Sequence, residues 1–407
     1  MRVLTLRDAL AIGVGATIGP GIFTVIAPLA GTAGSLAPLA FIFTGFSLLF
    51  SVLAHARLAS TFPSTGGLYV FVKRAFGTAG GFFIGWSFCL SAAAAGAFVA
   101  LGFADYLGIF IPTSRLWAGL AVICFYLLLN LIGIRSVVFV QKVFTAATLS
   151  IVSLVILSGF LQGKVLPQQV ELPPPKMLLQ GSLLTFTLFA GFEVVGSMAG
   201  EVRNPKRTLP MAMLATLLIA IFVYTAVTTV ALATQKPAEL AGSLIPLAEV
   251  AQYLLGLKGS YIVAAGVLLG SMSVINAQIL VISRIMSAMA GDGILPMSLV
   301  DFKISTTLAS VLLAGIMFGF PSVGMLAQIS SFFFVLMLIS TNMAYIKMFK
   351  PQSLSQTVFA ACLFLPVLSL AGVRLDALSL VLAWLMAGGL ILAINRAKVR
   401  HRSAISE

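Results

Sequence analysis

Three kinds of group in this 407-residue chain could do chemistry, and the first is the backbone itself. The stretch Gly13-Val14-Gly15-Ala16-Thr17-Ile18-Gly19-Pro20-Gly21-Ile22-Phe23 lies inside a long apolar run. Proline has no amide donor and clashes one turn back, and each glycine disfavours helix by about 1 kcal/mol. Gly19-Pro20-Gly21 therefore predicts an interrupted helix. The half that begins after the break offers free N–H groups and a positive dipole end, which suit a carboxylate. The half that ends before it offers free carbonyls, which suit an ammonium. On this reading Gly19, Gly21 and Ile22 donate N–H groups, and the carbonyls of Ala16, Thr17 and Ile18 accept. Glycine matters because the backbone is the ligand and a Cβ would obstruct it.

The second group is an acid. Glu193 lies about ten residues into the apolar run that carries Phe189-Ala190-Gly191-Phe192. A carboxylate at the centre of a bilayer costs about 2.5–3.5 kcal/mol on insertion scales. Glu193 is thus either a site for an amine or a proton, or a protonated acid bracing its helix; the residues leave both open. Carbonyls of Phe189 and Ala190 would join those of the first break around an ammonium. The third group is a set of hydroxyls, Thr148, Ser271 and Ser273, that could supply oxygen to a sodium ion, although hydroxyls in such helices also bond their own carbonyls. Ser91 through Ala97 are all small, leaving room for a substrate side chain around Ala93, with Phe189 or Phe192 to close over it and Ser330 or Ser331 to contribute.

The elements that must position these groups are membrane helices. Hydrophobic residues make up 60% of the chain and charged ones 9%, with mean hydropathy +1.12. A soluble domain carries about 25% charged residues. The net charge of +13 is scattered singly between apolar runs, which argues for loop orientation and against nucleic acid. Cys89, Cys124 and Cys362 sit in apolar runs and read as small buried hydrophobes. Spans need about 20 apolar residues, and twelve fit: 9–32, 36–59, 80–108, 116–134, 136–160, 179–200, 209–233, 258–288, 305–320, 323–346, 354–371 and 376–395. Eighteen Lys and Arg fall on one set of alternate segments and six on the other, which places both termini in the cytoplasm. The segments 165–176 and 235–249 are then the outer lids. The two interruptions fall at matching depths in the first and sixth spans. Two halves of five helices, 9–160 and 179–346, would be inverted relative to each other within one transport domain, with 354–395 peripheral, an arrangement that points to a midplane site. Glycines that only allow close helix packing are the competing explanation for Gly13, Gly15 and Gly196.

These residues resemble the amino acid–polyamine–organocation superfamily of permeases. The resemblance rests on the first-span signature above and on Phe62-Pro63-Ser64-Thr65-Gly66-Gly67-Leu68-Tyr69 leading to Ala75-Phe76-Gly77. It continues through Asn130-Leu131-Ile132-Gly133-Ile134-Arg135, Glu201-Val202-Arg203-Asn204-Pro205-Lys206-Arg207-Thr208-Leu209-Pro210, and Ser283-Arg284 with Met289-Ala290-Gly291-Asp292-Gly293-Ile294-Leu295-Pro296. It implies the five-plus-five inverted fold of the sodium–leucine symporters, with broken helices one and six. It further implies a plasma-membrane transporter working by alternating access on an amino acid, in which the same backbone positions bind substrate. Many sodium-independent members carry a lysine where this chain has Thr148. Sodium coupling, proton coupling through Glu193 and uncoupled exchange all remain open, with no other cofactor. Without further fixed charge near the site, a neutral, apolar amino acid is the expected substrate. A polyamine or cationic amino acid held by Glu193 is the alternative. A membrane enzyme or receptor is disfavoured by the lack of a clustered His, Cys or carboxylate set. Oligomeric state is left open.

Overall fold

The computed structural model describes residues 4–62, 67–132, 137–164, 166, 174–197, 199–350 and 375–405. The described residues are helical throughout, without a β-sheet. In chain order the helices are α1 (Leu6–Thr17), α2 (Gly21–Ala33), α3 (Ala37–Thr61), α4 (Gly67–Leu107), α5 (Arg115–Ile132), α6 (Val137–Leu161), α7 (Pro175–Phe186) and α8 (Phe192–Ser197). They continue as α9 (Pro205–Thr234), α10 (Pro237–Gly242), α11 (Pro246–Leu255), α12 (Leu257–Gly291), α13 (Phe302–Gly319), α14 (Val323–Phe349) and α15 (Leu375–Ile405). By length and composition, eight helical stretches of the described residues can cross a membrane, with two shorter apolar helices at 146–161 and 378–393. The expected span at 354–371 lies outside the described residues.

Large side chains face outward as well as inward. Trp117, Phe222 and Phe46 are exposed, while a single core runs from α1 to α14. Such exposed apolar area is what lipid covers; the chain is a multi-pass membrane protein.

Three expectations need correction. The fourth element begins at Gly67, well before 80, because 67–76 is already helical and joins the span through Gly77 at φ 79, a left-handed conformation that favours glycine. The segment 235–249, expected as a loop, is largely helical: α10 occupies part of it and α11 begins in it, each opened by a proline in its first turn. Cys124 is exposed on the outer face of α5, whereas Cys89 is buried; Cys362 lies outside the described residues. Ahead of α1, Leu4 N–H donates to Glu201 O at 3.0 Å and Arg203 N–H to Leu4 O at 2.9 Å, so the entry to α1 is joined to the segment after α8.

The long helix α4 is the spine against which α12, α13, α14 and α5 pack. It is fixed at both ends by ion pairs. Near its start Lys73 Nζ lies 2.6 Å from Asp292, which also accepts from the Tyr69 hydroxyl. At its end Asp105 takes a two-point contact from Arg115 at 2.7 and 2.8 Å, and Arg115 also donates to Pro321 O. On its outer flank Trp86 and Trp384 stack at 4.3 Å, and each indole N–H donates to the other's carbonyl at 2.9 Å, which seats α15.

Candidate functional site

Two helices are interrupted within the core. The first stops at Thr17 and resumes at Gly21. Ile18 N–H still reaches Val14 O at 2.7 Å, but Gly19 N–H turns back onto Thr17 O at 2.9 Å. Phe23 is the first residue of α2 whose amide finds a backbone acceptor, Pro20 O at 3.1 Å. The amides of Gly21 and Ile22 precede it and stand at the break, as the first N–H groups of any helix must. The second interruption starts with a tightened turn at Thr187–Phe189, passes Ala190 in extended conformation and Gly191 at φ 142, and resumes as α8. Only glycine adopts that φ readily.

The two breaks interlock. A Cβ on Gly21 would stand 2.6 Å from Leu188 of the second break and 3.5 Å from the Phe98 ring. A Cβ on Gly191 would stand 2.6 Å from Thr17 Oγ1 and 2.7 Å from the backbone of Ala16 and Thr17. Each interruption is therefore seated on the other at a glycine. Tyr224 of α9 spans both: its hydroxyl lies 2.5 Å from Thr17 O and 3.0 Å from Leu188 O.

These contacts sort the expected ligands. Thr17 O faces two donors, Gly19 N–H and the Tyr224 hydroxyl, and a carbonyl has two lone pairs. Ala16 O has no amide four residues on to accept from, because Pro20 lacks one. Gly19 N–H is engaged with Thr17, leaving Gly21 and Ile22 as the amides at the start of α2 that precede the first backbone hydrogen bond of that helix. Glu193, partly buried in the first turn of α8, accepts a long 3.4 Å bond from Gly191 N–H, an acid at a helix start. Phe189 is buried behind the break against Phe41 and Tyr224, with centroids 6.3 and 5.5 Å away. Phe192 packs on His55 and Phe334. The ring at Gly21 is Phe98, which follows the small residues Ser91 to Ala97 by one position. Ala93 is fully buried in α4.

Ser330 belongs to a hydroxyl cluster. Its Oγ is 2.7 Å from Thr187 Oγ1, its carbonyl accepts from Ser91 at 2.8 Å, and Ser331 Oγ accepts from Thr187 N–H at 2.9 Å. The second break is thus bonded to α4 and α14 by hydroxyls that satisfy one another.

On the far side of the first break, α12 turns Gly270 and Val274 toward it. A Cβ on Gly270 would stand 2.8 Å from Thr148 Oγ1 and 3.6 Å from Pro20, and one on Gly19 would stand 3.2 Å from Val274. Thr148 is therefore brought to the break. Ser271 is buried and its Oγ has no hydrogen-bond partner. Ser273 is two residues on, about 200° round the helix, so the two hydroxyls flank the strip and do not converge on one point.

Comparison with known proteins gives a consistent pattern. A family described as amino acid permease matches residues 8–306. An uncharacterized transporter of Mycobacterium tuberculosis is 31% identical over 299 residues, covering 72% of this chain and 67% of that one. A branched-chain amino acid permease of Bacillus subtilis is 29% identical over 320 residues, 73% and 69% of the two chains. A protein named cationic amino acid transporter 3, mitochondrial, of Arabidopsis thaliana is 30% identical over 329 residues, covering 72% of this chain and 52% of its own.

Proposed function

Because the chain belongs to the amino acid permease family, we propose that it is a secondary transporter that carries a neutral, apolar amino acid by alternating access around the paired breaks. The observation that carries this reading is the interlock of the two interruptions at Gly21 and Gly191; on this reading the Gly21 and Ile22 amides and the Ala16 and Ile18 carbonyls would hold the substrate. A zwitterion carries one charge for each set, and a broken helix binds both without a fixed ionic side chain. Binding would draw the breaks closed from one face, and release would follow from the other. The bias of Lys and Arg between alternate segments supports cytoplasmic termini in a plasma membrane. No step of this reading calls for an enzyme's bond chemistry.

Glu193 supports a second reading, transport of a cationic amino acid or polyamine, since its carboxylate stands in the first turn after the second break. Sodium coupling would use Thr148 and the unpartnered Ser271 hydroxyl with carbonyls of the first break; proton coupling would use Glu193. The test is uptake into proteoliposomes of a labelled panel of amino acids and polyamines, with and without sodium and pH gradients. Saturable uptake of leucine-like substrates is expected. Uptake of arginine or a polyamine alone would favour the second reading, and a requirement for internal substrate would favour exchange.

A further inference from the structure

Interrupting a helix inside a membrane creates a difficulty at the end of its first half. The last carbonyls lose their amide partners, and a buried carbonyl without a donor costs free energy that water cannot relieve there. The first halves here end near Thr17, whose carbonyl keeps one amide donor in Gly19 N–H, and near Leu188, and both residues are buried. One phenol meets both. Tyr224 is fully buried, and its hydroxyl oxygen lies 2.5 Å from Thr17 O and 3.0 Å from Leu188 O. A phenol carries a single proton to donate, so the two carbonyls share it. They are thereby held within reach of one oxygen, although they belong to segments some 170 residues apart.

The ring is fixed as firmly as the hydroxyl. Phe41 of α3 lies 5.1 Å from it and Phe189 lies 5.5 Å away edge-on. The consequence reaches the amides at the start of α2, because the Leu188 side chain occupies the space that a Cβ on Gly21 would enter. Tyr224 holds the Leu188 carbonyl, Leu188 abuts Gly21, and Gly21 opens α2. A second phenol, Tyr106, makes a simpler version of this contact, donating to Phe23 O alone at 3.1 Å.

Resting on the transport reading above, we infer that Tyr224 is a positioning residue: through the two carbonyls it sets the distance between the breaks, and so the geometry of the substrate-binding backbone. It touches no substrate itself. A tyrosine retained only to fill space would act through its ring, and removing the hydroxyl would leave affinity unchanged.

The experiment measures equilibrium binding of labelled L-leucine and L-arginine to the purified full chain in lipid nanodiscs, with transport in proteoliposomes. Three proteins are compared: wild type, Tyr224→Phe, and the chain in which 3-fluorotyrosine replaces Tyr224. The Phe change keeps the ring and removes the donor; fluorotyrosine keeps the size and strengthens the donor. For the probe that wild type binds, Tyr224→Phe is expected to raise Kd by about tenfold, with KM rising more than kcat falls. Fluorotyrosine is expected to move Kd the other way by at least twofold. Equal Kd in all three proteins overturns the inference. Should Tyr224→Phe fail to give a monodisperse protein, the fluorotyrosine chain decides alone: a shift of twofold or more supports the inference and no shift overturns it. Wild type that binds neither probe contradicts the transport reading itself, and the inference falls with it; binding by wild type with no change in the variants removes Tyr224 alone.

Discussion

The spine helix α4 and the interrupted pair α1/α2 and α7/α8 are held by different chemistry. The spine is fixed at each end by a carboxylate and a cation, Lys73 with Asp292 and Asp105 with Arg115. The interrupted pair is held near its centre by neutral hydrogen bonds: Tyr224 on two carbonyls, Thr187 on Ser330 and Ser331, and Gly19 on Thr17. These ion pairs are partly exposed, with only Asp105 buried, and they hold the ends of the spine by charge and geometry. Neutral bonds of about 1 kcal/mol can be exchanged one for another. On the proposed transport reading, the comparison teaches how one chain could provide a frame and a site that rearranges during each cycle.

If the difference is real, damage to the two regions should have different signatures. The largest effect is expected at Gly191→Ala. The new Cβ would fall 2.7 Å from backbone atoms of Ala16 and Thr17 at a φ of 142, so no side-chain movement relieves it. Proteoliposome uptake should be lost, and uptake above a tenth of wild type would refute the interlock. Next comes Asp105→Asn, which leaves Arg115 without its charged partner at the end of the spine. We expect about 1 kcal/mol of destabilisation, seen as a lowered Tm, while substrate Kd of the folded protein stays within about twofold. A large affinity loss here would mean that the spine is part of the site.

A smaller and pH-dependent effect belongs to the Lys73–Asp292 contact. Desolvation pushes the Asp292 carboxyl up, but hydrogen bonds from Lys73 and Tyr69, with the charge on Lys73, outweigh it and hold the group below the usual carboxylate range. A folded pKa below the unfolded one contributes stability above the unfolded value, which is lost as pH falls through the folded value. Both side chains are partly exposed, so the contribution is about 1 kcal/mol or less. Tm of wild type should therefore fall toward that of Asp292→Asn as pH drops below 4, and a constant gap between the two would disprove the assignment. The smallest effect is expected at Trp384→Phe. It removes one of two indole bonds seating α15 against α4, lowers Tm by a few degrees at most, and leaves transport intact.

The breaks were legible in the sequence because backbone chemistry announces itself. Gly19-Pro20-Gly21 and Gly191 cannot sit comfortably in a continuous helix, and Glu193 cannot sit in a bilayer without a reason. What was not legible is how the breaks are held. Tyr224 stands in a long apolar run, where an aromatic residue reads as packing, and only the fold brings its hydroxyl to Thr17 and Leu188. Phe98 was hidden by one position, since a run of small residues points to a space and not to the ring that bounds it. Phe189 and Phe192, the more visible aromatics, turn out to face Phe41 and His55. The helical start of α4 and the helices α10 and α11 were missed because short amphipathic turns at a membrane surface look like polar loops. Thr148 lies beside Gly270 near the first break, whereas Ser271 and Ser273 sit on different sides of α12, which follows from helix geometry alone.

The account stands on the claim that the Gly21 end of α2 faces bound amino acid. It is tested most directly by equilibrium binding of labelled L-leucine to wild type and to Gly21→Leu in nanodiscs, each checked for a monodisperse fold. Saturable binding by wild type that is lost in Gly21→Leu is the predicted result. Binding of equal affinity in both proteins would contradict it.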